Sequence, residues 1–294
     1  MRYSIRVKGI VLAGGTGTRL WPITLATSKQ LLPIYNKPLI YYPIAILMQS
    51  GIREILIITT PQDQKAFQML LGDGTWFGLS LTYAIQDHPG GIAQAFLIAE
   101  DFIDGEEIAL ILGDNLFYGA GLEQELSRKL IEKGSRIFTC NVSNPTEYGV
   151  LNIDSFNKPL SVDEKPNDPK SNLAITGLYF FDSKVIDYAR AIKPSIRGEL
   201  EITAIMQIYI DEEDLEFVKL PSGVAWLDTG NPNSLSDATS FVRVLEERTG
   251  KKIACLEEIA YQKGWLSKND LSARIKYYEN SSYGRYLSTI LNLV

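Results

Sequence analysis

The sequence predicts an α/β fold: a mainly parallel, doubly wound (Rossmann-like) sheet with helices on both faces, plus a small C-terminal helical appendage. Three observations carry that prediction. Short apolar runs rich in β-branched residues alternate with helix-length segments through the first half, the pattern of βαβ units. A glycine-rich turn, "LAGGTGTRL", directly follows the first run. From about Asn233 onward the segments are mostly helical, as in "SLSDATSFVRVLEERTG", "CLEEIAYQKGWL" and "YGRYLSTILNLV". The expected division is 1–235 for the α/β body and 236–294 for the appendage.

Taken in order, "IRVKGIVLA" ends in Ile10, Val11 and Leu12 and is a buried strand. "KPLIYYPIAILMQSG" places Ile40, Ile44, Leu47 and Met48 at helical spacing, with Gly51 as its stop and Pro43 as a source of a kink. "EILIITT" is a strand, "QDQKAFQMLLGDG" a helix closed by Gly72, and "LSLTYAI" a strand alternating Leu79, Leu81, Tyr83 and Ile85. "GIAQAFLIAEDFI" is helical, "EIALILGDN" a buried strand, "LEQELSRKLIEKG" a helix and "RIFTCNV" a strand. After Pro145 the alternation loosens. "GVLNID", "LSVDEKP" and "LAITGLYFFD" are strands, while "SKVIDYARAI" and "LEITAIMQIYIDE" are helical. "LEFVKL" is a further strand, followed by "GVAWLDTGNP".

The 294 residues are 45% hydrophobic and 22% charged, enough for a sizeable core. A formal charge of −6 argues against nucleic acid as a partner, because nonspecific phosphate-backbone binding needs a basic face. A small phosphorylated ligand needs only a local basic pocket. No run approaches the ~18 apolar residues of a membrane helix, and the apolar stretch at the start is too short for a signal peptide. A cytoplasmic protein without a membrane partner is expected. Cys140 and Cys255 are too far apart in sequence for a zinc motif and are expected as buried thiols. His88 is the single histidine, which excludes a His-rich metal site.

The glycine-rich turn admits several readings. Gly15 and Gly17 fit a dinucleotide G-x-G-x-x-G, but Leu20 stands at the third glycine. A P-loop lacks its Gly-Lys-Ser/Thr. A different nucleotide loop, with Arg19 and Lys29 as phosphate cations, remains, as does a plain strand-to-helix turn with a solvated lysine. Asp114 in "ILGDN" follows a buried strand, where α/β folds bind ligands and where a carboxylate is placed to hold Mg²⁺. An Asp-Asn turn is the simpler alternative. Asp228 in "AWLDTG" occupies a similar position, and two such aspartates strengthen the metal reading. Glu164 and Lys165 in "VDEKP" fall on opposite faces of a regular strand, unless the strand twists locally; an edge strand ended by Pro166 is the alternative.

In order, "LAGGTGTRLWPITLATSKQLLPIYNKPLIYYP", "LGDN", "EKP", "TGLYFFD", "RGELEIT" and "WLDTG" resemble the sugar nucleotidyltransferase family, from Gly9 to Tyr286. The resemblance is strongest to members that join dTTP to glucose 1-phosphate. It implies that Gly14, Gly15, Gly17, Thr18 and Arg19 contact the nucleotide and its phosphates. Lys29 would stabilise phosphate charge, Gln30 and Gln86 would read the base, and Gly91 would lie beside it. Asp114 and Asp228 would bind Mg²⁺. Tyr148, Gly149, Glu164, Lys165 and Thr176 would surround the sugar phosphate, with Lys165 on its phosphate and Trp226 close by. Arg19, Lys29 and Lys165 would be the catalytic cations. The resemblance also implies a homotetramer with a regulatory nucleotide site at a subunit interface, involving the C-terminal helices. Two departures stand out. "EITAIM" replaces a frequent "EITDIN", with Ala204 and Met206 expected on a helix surface. Gly90 replaces the aspartate of a frequent Pro-Asp-Gly in the base loop.

The implied reaction is attack of the sugar phosphate on the α-phosphorus with departure of pyrophosphate, in one in-line step. A nicotinamide oxidoreductase, a catalytically silent sugar-nucleotide sensor and a relative using UTP or CTP are the alternatives. No hexapeptide repeats follow residue 250, which argues against a fused acyltransferase.

Overall fold

Strand β1 (Val7–Ala13) shows how the sequence sets the fold: Val11 and Ala13 face one hydrophobic core, Ile10 and Leu12 the other. A strand buried on both faces must lie at the centre of a sheet. In the computed structural model, which describes residues 7–126 and 133–292, β1 pairs in parallel on both edges. A small hairpin, β2 (Pro33–Ile34) and β3 (Lys37–Pro38), precedes α1 (Tyr41–Gln49), β4 (Glu54–Thr59), α2 (Gln64–Leu71) and β5 (Ser80–Ile85). Two short helices, α3 (Gln94–Ile98) and α4 (Glu100–Ile103), lead to β6 (Glu107–Leu112) and β7 (Asn115–Gly119). Next come α5 (Leu122–Leu126), β8 (Ser135–Asn141), β9 (Gly149–Ile153), β10 (Pro159–Glu164) and β11 (Leu173–Phe181). Helices α6 (Val185–Ala191) and α7 (Ile202–Asp211) precede β12 (Leu215–Lys219) and β13 (Val224–Asp228). The tail is α8 (Pro232–Thr249), α9 (Leu256–Gln262), α10 (Lys268–Tyr277) and α11 (Ser282–Asn292).

The nine-stranded sheet is mixed. Strands β6, β1, β4 and β5 are adjacent and parallel. Strand β11 enters antiparallel beside β6 and also pairs with β8 and β9, while β10 returns along β9 and β12 lies parallel to β8. β13 and β7 form a separate antiparallel ribbon. One core packs α1, α8 and α9 against the sheet; the other packs α3, α6 and α7.

Several expectations need correction. Pro43 does not kink α1. It is the third residue of that helix, where the backbone N–H has no intrahelical partner to lose. The "GIAQAFLIAEDFI" helix is divided at Ala99. Ile85 is 40% exposed, because β5 is the sheet's edge strand. The second half of the helix expected over "LEQELSRKLIEKG" lies outside the described residues. Helix α8 runs unbroken across residue 235, and its Ala238 and Val242 belong to the same core as Val11. A separate small core, around Cys255, Leu271, Leu287 and Ile290, lies in the tail. Among the described residues no helix is long and apolar enough to cross a membrane.

Candidate active site

The sheet order reverses at β1, with β4 on one side and β6 on the other. In a parallel sheet such a reversal opens a crevice beyond the carboxyl ends of the strands. Gly14 follows β1, Gln86 follows β5, and Asp114 follows β6 by two residues. A Cβ on Gly14 would collide with Gln86 Oε1, so only glycine lets that amide close over the end of β1. Gln86 Nε2 donates to Gln94 Oε1 at 2.8 Å and to the Gly91 carbonyl at 3.3 Å. Gly17, at φ 62°, starts a single helical turn over Thr18–Leu20. Gly15, Thr18 and Arg19 are exposed on this loop. A second turn, Lys29–Leu31, buries Lys29 and Gln30, and Gln30 Oε1 accepts from Ser28 Oγ at 2.6 Å.

Two carboxylates distant in sequence meet at this crevice. The β7–β13 ribbon pairs Asn115 with Asp228, and Thr229 Oγ1 donates to the Asp114 carbonyl at 2.9 Å. Lys29 Nζ forms an ion pair with Asp114 Oδ2, while Asn115 Nδ2 donates to Asp114 Oδ1 at 2.9 Å. Burial alone would raise the Asp114 carboxyl. The Lys29 charge and hydrogen bond, with the Asn115 amide, outweigh it and hold the group below its ordinary value. Asp228 behaves oppositely. Burial and then the negative charge of Asp114 push it up to about 6, against the more distant pull of Lys29 and Arg19.

Asn115 is the residue that sequence reasoning passed over. It is buried, and its Oδ1 accepts from the Gly177 amide at 3.1 Å and from Trp226 Nε1 at 2.6 Å. A Cβ on Gly177 would lie 2.7 Å from that oxygen, so this glycine also serves a close approach. Asn115 therefore ties Asp114, β11 and Trp226 together. The signal was present in "LGDN", where the asparagine was treated only as part of a turn.

Beyond the carboxylates the crevice opens into a cleft of about 160 Å³. Arg19, Lys165, Glu164, Tyr148, Gly149 and Trp226 line it, and the Tyr148 and Trp226 ring centroids are 5.0 Å apart. Lys165 has left strand β10 and takes a left-handed φ of 45°. This breaks the strand alternation, so Glu164 and Lys165 line the same cleft. Glu164 Oε1 accepts from Arg197 at 2.9 Å and its Oε2 from Thr203 Oγ1 at 3.2 Å. Arg197 and Thr203 are further residues that the reading missed, although "RGELEIT" contains both.

Thr176 does not reach the cleft. It is fully buried, and its hydroxyl donates to the Phe138 carbonyl at 3.0 Å; its neighbours Ile175 and Gly177 line the cleft instead. Alternation along β11 places Thr176 on the other face. Met206 also departs from expectation: it is fully buried and lines the cleft, whereas Ala204 is half-buried. Gly90 makes room for Gln94, whose Oε1 a Cβ would strike, and its amide donates to that oxygen at 3.2 Å.

The nucleotidyl transferase family profile matches residues 8–244. The chain belongs to that family. A glucose-1-phosphate thymidylyltransferase of Neisseria gonorrhoeae is 50% identical over 282 residues, covering 96% of this chain and 98% of that protein. One from Mycolicibacterium smegmatis is 51% identical over 286 residues, covering 97% and 99%. A Bacillus anthracis protein solved with sucrose superposes with a TM-score of 0.74 at 41% identity, covering 81% of this chain and 95% of that one. Against this nucleotidyltransferase, a UDP-glucose pyrophosphorylase bound to UDP-glucose shows the same fold, with a TM-score of 0.73 at 23% identity, over 82% and 100% of the two chains.

A divalent cation suits this donor set. Asp114 and Asp228 offer hard oxygen donors, and Asp228 is raised by burial and then by the negative charge of Asp114. No group of three or more His, Cys, Asp or Glu side chains gathers at one point among the described residues. A cation such as Mg²⁺ commonly uses one or two protein carboxylates and completes its shell with water and substrate phosphates.

Proposed function

We infer that this nucleotidyltransferase transfers a thymidylyl group from dTTP to glucose 1-phosphate, giving dTDP-glucose and pyrophosphate. The observation that carries the reading is the convergence of Arg19, Lys165 and the Asp114–Asp228 pair on one cleft beyond the carboxyl ends of the parallel strands, with Lys29 paired to Asp114 at its edge. Near-full-length relatives at about 50% identity bear that activity in their names.

The chemical problem is charge. Two unit charges ~4 Å apart at an effective dielectric of about 20 repel by roughly 4 kcal/mol, and several such pairs meet when a sugar phosphate approaches a triphosphate. Arg19 and Lys29 would take the triphosphate from the glycine-loop side, with Gly14, Gly15, Gly17 and Thr18 along its phosphates. Lys165 would hold the phosphate of the sugar, with Tyr148, Gly149, Glu164 and Trp226 around the ring. Gln30 and Gln86, with Gly91, would read the base. Asp114 and Asp228 would hold Mg²⁺, which when bound neutralises phosphate charge and polarises the phosphorus under attack. The sugar phosphate oxygen forms the new bond to the α-phosphorus as the bond to the β-phosphate oxygen breaks. That nucleophile is already anionic and needs no general base. Cys140, Cys255 and His88 are poorly suited as nucleophiles: burial raises the two thiols, and His88 is exposed in a loop. A single in-line displacement follows.

A second cavity, about 490 Å³, lies between α1, β7 and α9. Lys251, Lys252, Tyr118, Glu258 and Gln262 line it, which supports a regulatory nucleotide site, completed by a neighbouring subunit of a homotetramer through the helices of 236–294. A cytoplasmic setting fits substrates of this kind. Pyrophosphate release across a grid of nucleoside triphosphates and sugar 1-phosphates tests the reading. The dTTP and glucose 1-phosphate pair is expected to give the highest kcat/KM; higher turnover with UTP or CTP, or none with any pair, overturns it.

A further inference from the structure

Lys29 holds the oxygen that a divalent cation would use. Its ammonium pairs with Asp114 Oδ2, with side-chain exposures of only 9% and 20%. Asn115 Nδ2 occupies the other oxygen, Oδ1, so Asp114 has its charge matched from within the chain. Asp228 pairs with Asn115 across the β7–β13 ribbon and lines the same cleft as Asp114. No third acidic or histidine ligand joins them among the described residues.

We propose that Lys29 acts as an internal counter-ion that excludes free divalent cations from Asp114 and admits them only with a triphosphate. A bare cation would have to displace a buried ammonium, leaving that charge without a partner, and would gain two carboxylates. A metal–triphosphate complex changes both sides of that exchange. Its phosphates offer Lys29 a new anionic partner, and its oxygens complete the cation's shell. The species recognised is thus the metal–nucleotide complex, and Lys29 is a positioning residue for metal entry as well as a phosphate cation. The inference rests on the metal-site reading above, and it is independent of which base or sugar the enzyme takes.

The test is direct binding of Mn²⁺, without nucleotide, to the full chain, followed by calorimetry or by the loss of the free-ion paramagnetic signal. Lys29→Met is expected to bind Mn²⁺ at least tenfold more tightly than the wild type. Lys29→Arg, which keeps the charge, is expected to stay within threefold of the wild type. Adding Asp114→Asn to Lys29→Met is expected to abolish the gain. Equal or weaker Mn²⁺ binding by a folded Lys29→Met protein overturns the proposal. If that variant loses its cooperative thermal transition, Lys29→Gln carries the same expectation, and its failure to gain affinity overturns the proposal equally. A wild type that binds free Mn²⁺ as tightly as Lys29→Met also contradicts it, whereas an inactive substrate grid would instead contradict the assigned reaction.

Discussion

The buried ion pairs Lys37–Glu246 and Lys29–Asp114 are built to different ends. Lys37 Nζ meets Glu246 Oε1 at 2.7 Å, with side chains 2% and 4% exposed. Glu246 also accepts from Asn36, from Lys252 at 3.3 Å, and from the Ile253 amide at 2.9 Å. Burial works against both ions, yet it lowers the Lys37 pKa while its partners keep Glu246 below the ordinary value. This pair fastens the β2–β3 hairpin to α8 and is closed. Lys29 and Asp114 sit at the open end of the parallel strands, beside a second carboxylate, Asp228, which accepts from the Gly230 amide and, among the described residues, forms no ion pair. The same chemistry gives a clasp in which both Glu246 oxygens are matched by donors and, at the proposed site, a pair set beside a carboxylate whose charge is not so matched.

The largest effect expected from this contrast is on turnover. Asp228→Asn keeps the shape and removes the charge, and is expected to lower kcat by about 10²- to 10³-fold, the scale of losing a preorganised electrostatic contact. Near-normal turnover at limiting Mg²⁺ would remove Asp228 from the metal site. Next comes Glu246→Ala, which leaves Lys37 buried without its partner. It is expected to cost about 3–5 kcal/mol in urea unfolding, with the remaining folded protein still active. A loss under about 1 kcal/mol would mean that the pair is not the clasp described.

Lys165→Met comes third. A charge-assisted hydrogen bond is worth about 1.5–3 kcal/mol, so the KM for sugar 1-phosphate should rise roughly 10- to 100-fold, with dTTP affinity unchanged. Equal loss of nucleotide affinity would move Lys165 to the other subsite. The smallest effect concerns Asp228 and stability in chelator. Its carboxyl is raised from 3.8 to about 6, so the folded state favours the neutral form. The fold therefore weakens as pH rises from about 4 to about 6 and stays weakened above that. Asp228→Asn should then be more stable than the wild type at pH 7.5 by on the order of 1–2 kcal/mol, and indistinguishable near pH 3. A destabilised variant at pH 7.5 would contradict the assigned cost of burying the Asp228 charge beside Asp114.

Much of the first half of the chain was legible because local signals and global structure agree there. Ile10 to Leu12 before Gly14 and Gly15 read as a buried strand running into a tight turn, and β1 is that strand. Gly51 and Gly72 end α1 and α2 with left-handed or open backbone, as their positions suggested. What the sequence hid is non-local. The β7–β13 ribbon that brings Asp228 to Asp114 depends on a pairing across more than a hundred residues, and no periodicity reports it. Lys165 reaches the cleft by a left-handed backbone that alternation rules do not anticipate. Thr176 was misplaced for the opposite reason, since alternation along β11 holds and turns it away from the cleft. Met206 belonged to an expected helix surface but occupies a buried face of α7, because that helix is covered by the sheet on one side and forms the cleft wall near its start.

The central claim is that the cleft aligns two bound substrates and performs the transfer in one displacement, without a covalent enzyme intermediate. The stereochemical course at a chiral α-thiophosphate of dTTP tests it most directly. Inversion at phosphorus is the predicted result. Net retention, accompanied by exchange of labelled pyrophosphate into dTTP in the absence of sugar phosphate, would show that a nucleotidyl-enzyme forms and would contradict the account.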